Sequence, residues 1–109
     1  MVTVTFRRDS RNRLSSVFAE GHAGWAAYGQ DVACAAVSAI LQAAWVGLTD
    51  HAHVEIEGER SEGRLAMRWP AGDRDRADVQ AIVATAELAI GQIGRQFPNA
   101  VRARSAEEA

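Results

Sequence analysis

Apolar and polar residues alternate from the start of the chain. Val2, Val4 and Phe6 interleave with Thr3, Thr5 and Arg7, a period of two that predicts a strand with one apolar face. Asp9, Ser10, Arg11 and Asn12 form a polar turn cluster, and a second β-like run from about Leu14 to Glu20 completes a hairpin. From Gly21 to Gln30 the pattern breaks. Gly21, Gly24 and Gly29 fall among small residues and two aromatics, which suits neither strand nor helix and reads as a loop that can move. Asp31 then reads as a helix N-cap. Val32 to Gly47 is almost entirely Ala and aliphatic, with Ser38 and Gln42 as its polar interruptions. A helix apolar all round is buried on most sides. One small sheet cannot cover it fully, so part of it is expected to face a second copy in a homodimer.

The later pattern repeats the theme. Val54 and Ile56 mark a third strand, the stretch Gly58 to Gly63 a turn, and Leu65, Met67 and Trp69 a fourth strand ended by Pro70 and Gly72. Val79, Ile82, Val83, Ala86, Ile90 and Ile93 recur at three-four spacing, an amphipathic helix stopped by Phe97-Pro98. Residues 102–109 are polar and read as a frayed tail. The order β-β-α-β-β-α predicts an α+β two-layer sandwich: a mostly antiparallel four-stranded sheet with both helices on one face, in a single domain over residues 1–101.

Composition narrows the partners. With 109 residues the chain fits one domain, and any site in it should be a shallow groove, or one completed by a loop or a second subunit. The net charge of −2 makes no bulk electrostatic case for direct nucleic-acid binding. All 12 basic residues are Arg, which reflects base composition and not chemistry. No apolar run approaches the roughly 20 residues of a membrane span, and Met1 to Arg8 lacks the form of a signal peptide. A soluble, cytoplasmic protein with no membrane partner is expected. The single cysteine permits neither an internal disulfide nor a Cys-rich metal site. His51 and His53 would share a strand face, but without a nearby carboxylate or thiolate they read as exposed edge residues. No metal and no cofactor are called for.

Cys34 carries the chemistry. With Asp31 as cap it falls at the third helical position, where unpaired amides and the helix dipole favour a thiolate and could donate to an oxyanion. Read for packing alone, it is a core thiol in an Ala-rich helix. His22 changes the weighing. It sits twelve residues earlier on the glycine-bearing loop, and Gly21 and Gly24 give the backbone freedom to bring the imidazole back to the helix start. There it could accept the thiol proton and later protonate a leaving amine. Ser38, one turn after Cys34, shares its face and could bond loop or substrate, or its own helix. Asp31 could orient His22, although capping alone accounts for it. Trp25 and Tyr28 could meet a peptide or pack the loop, and Trp45 reads as a core or dimer contact.

Gly21-His22-Ala23-Gly24, followed by Gly29-Gln30-Asp31-Val32-Ala33-Cys34-Ala35-Ala36-Val37-Ser38, resembles the paired signature of the ribosomal-processing cysteine proteases of bacteria. Both halves are present and correctly spaced, and a weaker likeness runs along the whole chain. The resemblance implies a small two-layer α+β sandwich, usually dimeric. It implies Cys34 as nucleophile with His22 as its partner, and a loop that orders over the bound peptide. It also implies a cysteine endopeptidase that removes a short N-terminal extension from a large-subunit ribosomal protein precursor. Ala33 stands where a larger aliphatic is usual, and Trp25 where a Tyr or smaller residue is common. The alternative from a different class is a ribosome-associated peptide-binding module without peptidase activity, in which Cys34 only packs.

Overall fold

The structure is a computed structural model and describes residues 1–21 and 30–108. β1 (Val2–Arg8) and β2 (Leu14–Glu20) form the first hairpin, and α1 (Gln30–Val46) runs on through a π-helical turn over Gly47–His51. β3 (Glu57–Ser61) and β4 (Arg64–Arg68) form the second hairpin, followed by α2 (Ala77–Gln96) and β5 (Val101–Glu107). The strands make one sheet in the order β3-β4-β2-β1-β5, antiparallel except where β5 lies parallel to β1. The α+β class with two helices matches the expectation from the sequence; the number of strands does not.

The fifth strand is the main correction. Residues 102–109 were expected to fray, with the domain ending at 101, yet β5 pairs along the whole of β1 from Val2↔Val101 to Arg8↔Glu107. Its exposed residues, Arg102 and Arg104 among them, give an edge strand the polar surface of a tail. A parallel partner needs a crossover, and α2 supplies it by carrying the chain from β4 to the opposite edge of the sheet.

The third strand also moves. The predicted turn over Gly58 to Gly63 is mostly strand: β3 occupies Glu57–Ser61 and only Glu62 and Gly63 connect it to β4. Val54 and Ile56 lie in the lead-in, with Val54 buried. Gly58 is explained by its neighbour, because a Cβ there would lie 2.1 Å from Cη2 of Trp45. The indole lies against bare backbone, and the Arg60 guanidinium stacks 4.7 Å from the ring centroid.

The core lies between the sheet and the helices. Val4 and Phe6 from β1, Val17 and Ala19 from β2 and Met67 from β4 meet Val37 and Leu41 of α1 and Val79, Val83 and Ile90 of α2. Buried Trp69 anchors the far end by donating from its indole to the Leu14 carbonyl at 2.8 Å. At that end Asp9 accepts from the amides of Arg11 and Arg13 and from the buried Arg74 guanidinium. Burial pushes the Asp9 carboxyl up, but these donors outweigh it and hold it well below the usual carboxylate range.

Helical residues Val32–His51 are long and apolar enough to cross a membrane by length and composition alone. Their inner side, with Ala33, Val37, Leu41, Ala44 and Leu48 buried, belongs to the core, as in the central helix of a sandwich. The outer side is a stripe of exposed Val32, Ala35, Ala39, Ala43 and Val46. His51 closes the π-helical turn and His53 follows at φ 55°, so the two do not share a strand face.

Candidate active site

β2 ends at Glu20, and Gly21 turns the chain out of the sheet. Its φ of +124° belongs to glycine, and a Cβ would fall 2.1 Å from the Met1 carbonyl oxygen. Its amide donates to the Gly63 carbonyl at 3.0 Å, tying this exit to the β3–β4 turn. The backbone at Gly21 is therefore fixed by packing and by this hydrogen bond. His22, Gly24, Trp25 and Tyr28 lie outside the described residues.

Across from this exit, α1 opens at Gln30, one residue before the expected cap. Asp31 is thus the second residue of the helix; its side chain lies outside the described residues. Cys34 becomes the fifth helical residue, not the third. The unpaired amides of the first turn belong to residues ahead of it, and the dipole is strongest in that turn.

Cys34 is 5% exposed and sits among Ala33 and Val37, yet it also lines a cavity of about 370 Å³. One wall of that cavity is α1, with Cys34, Ser38, Leu41 and Gln42. The opposite wall is the end of β2 with Glu20 and Gly21, and the rim is the β3–β4 turn with Arg60, Ser61, Gly63 and Arg64. Ser38, exposed one turn beyond Cys34, accepts a hydrogen bond from the Gln42 side-chain amide at 2.8 Å. That contact uses an acceptor site on the hydroxyl and leaves its O–H to donate. The structure thus brings Cys34, Ser38 and Gly21 to one groove.

Sequence reasoning missed Gln42 and the whole rim. In the sequence Gln42 reads only as a polar interruption of an apolar run, Arg60 falls inside the predicted turn, and Arg64 carries no signal of its own. The groove runs along α1 with an apolar floor of Val2, Val37, Leu41 and Leu65 and a polar margin. Such a shape suits an extended peptide, with the thiol near one end.

Comparison with known proteins bears on this geometry. Residues 1–102 match the model of the family described as cysteine protease Prp. The ribosomal processing cysteine protease Prp of Staphylococcus aureus is 27% identical over 105 residues, covering 94% of this chain and 96% of the relative. A Streptococcus mutans protein of known crystal structure is 27% identical, with a TM-score of 0.82 over 99% of this chain and 96% of that one. The crystal structure of the S. aureus Prp in complex with a substrate peptide is 20% identical, with a TM-score of 0.86 over 96% of this chain and 99% of that one.

Proposed function

The chain belongs to the cysteine protease Prp family, and from that premise we propose that Cys34 and His22 form the catalytic pair of a cysteine endopeptidase acting on a ribosomal protein precursor. The observation that carries this reading is the position of Cys34: near the start of α1, on the wall of the groove, opposite the chain exit that leads directly to His22. In the proposed cycle His22 takes the thiol proton and the Cys34 thiolate attacks the scissile carbonyl. First-turn amides of α1 stabilise the oxyanion. His22 protonates the departing amine, leaving an acyl-enzyme thioester that water hydrolyses with His22 as base. Ser38 can donate to the substrate backbone, and Gly21 turns the chain out of β2 toward His22.

The substrate proposed is a large-subunit ribosomal protein carrying a short N-terminal extension. Support comes from the name of the S. aureus relative and from that protein's crystal structures with a substrate peptide and with a covalently linked product peptide. The exposed apolar stripe of α1 supports a homodimer with α1 against α1. A lone cysteine that must stay reduced fits the cytoplasm. The test is incubation of the host's ribosomal protein precursor with the purified protein, read by mass spectrometry. One N-terminal cut is expected; an intact precursor overturns the proposed substrate.

The burial of Cys34 favours a second reading, a peptide-binding module in which the thiol packs and does not react. Alkylation across pH separates the two. Rapid labelling at pH 6 supports the peptidase, and slow labelling with a midpoint near the ordinary thiol value of about 8.5 supports the binding module.

A further inference from the structure

We propose that Arg60 is a specificity determinant that selects an acidic side chain in the substrate, three or four residues from the scissile bond. This rests on the peptidase reading above and adds to it a substrate class.

Register places Arg60 opposite Leu65, in the row of β-sheet positions that also holds Ala19 and Val4, all facing the helices. An arginine in that row points toward α1, where a small apolar residue would be the ordinary choice. The side chain reaches over Trp45 and is held there by the ring, at 4.7 Å from its centroid. The indole is in turn held against Gly58, whose missing side chain makes the space for it. Gly58, Trp45 and Arg60 therefore form a stack that fixes a guanidinium on the rim of the Cys34 groove.

No carboxylate of the described residues is within salt-bridge distance of Arg60. Most of the other arginines of the fold with close contacts are committed to acids: Arg8 to Glu87, Arg13 and Arg74 to Asp9, Arg76 to Asp73 and Asp78. Arg64, also on the rim, has Glu20 as its cross-strand partner. Arg60 has Leu65. An oriented planar donor without an acid of its own is suited to a carboxylate supplied by a ligand.

The spacing follows from the helix. Cys34 and Gln42 both line the groove, and eight residues of helix at 1.5 Å each separate them by about 12 Å. Arg60 sits at the Gln42 end, over Trp45. An extended peptide covers that length with three or four residues.

The test is cleavage-site profiling of a proteome-derived peptide library by mass spectrometry, with wild type, Arg60→Gln and Arg60→Glu. Wild type should enrich Asp or Glu roughly fivefold at one position three or four residues from the cut, the scale of an exposed charge pair. Arg60→Gln should flatten that position, and Arg60→Glu should favour Arg or Lys there. A residue that only supported Trp45 would lower cutting without reversing the preference. Wild-type cutting with no acidic preference, or a preference unchanged in Arg60→Glu, overturns this inference and leaves the peptidase reading standing. Failure of wild type to cut any peptide overturns both.

Discussion

The amide of Gly21 donates to the carbonyl of Gly63 at 3.0 Å, so the point where the chain leaves β2 toward His22 is fastened to the turn that rims the groove. Gly21 is also pressed against the Met1 carbonyl, with a φ open to few residues but glycine. Gly21→Ala should therefore destabilise the fold by about 2–4 kcal/mol, combining left-handed strain with a backbone clash. Urea denaturation measures it; a change under 0.5 kcal/mol would show that the exit relaxes freely. Cleavage should fall further than stability explains, because residue 22 departs from this position.

Removing either member of the proposed pair should be nearly as damaging as removing both. Cys34→Ala and His22→Ala should each lower the cleavage rate by about a thousandfold or more, with little added loss in the double variant, since such groups act as a unit. Losses that multiply in the double variant would mean the two side chains act separately. Circular dichroism melts of the single variants check that the fold survives.

Stability should depend on acid through the Asp9 cluster. The Asp9 carboxyl titrates below its ordinary value in the folded protein, while in the unfolded chain it titrates near 3.9. Its contribution is therefore fully present above that value and is lost as pH falls through it toward the folded one. Wild type should show a falling Tm below about pH 5. Asp9→Asn should be less stable at pH 7 and lose less on acidification. Asp78 and Glu108 are lowered too and act in the same direction, so the variant should flatten the profile only in part. Parallel Tm-against-pH curves for the two proteins would remove Asp9 from this role.

The exposed stripe of α1 predicts the oligomeric state. Ala39 lies at its middle, exposed and between Ala35 and Ala43. Ala39→Glu should convert a dimer to a monomer by light scattering with little change in Tm measured on the monomer. A dimer that survives this charge pairs through another surface.

Strong periodicity made β1, β2, β4 and α2 legible from the sequence, because each buries one face in a common core, and a nearly unbroken apolar run did the same for α1. β5 was hidden because an edge strand needs little apolar content: Arg102 and Arg104 face solvent and the inward partners are small, Ala103 and Ser105. β3 was hidden because its Gly58 looks like turn chemistry until Trp45 is seen lying on it. Misplacing β3 also concealed Arg60, whose relation to the groove depends on register. The Cys34 neighbourhood was legible as a motif and its burial as the packing alternative; its place as the fifth helical residue was not, because the helix opens at Gln30 and not after Asp31.

The parallel pairing of β1 with β5 joins residues 99 positions apart, 101 minus 2 for its first pair. Closing so large a loop gives no local reward on the way, and such contacts slow the search for the native state. Until β5 docks, the outer edge of β1 presents unpaired backbone to solvent, a template to which a strand from another molecule can add. Refolding yield should therefore decline with protein concentration, with aggregates seeded at the β1 margin while α1 and the two hairpins are already assembled.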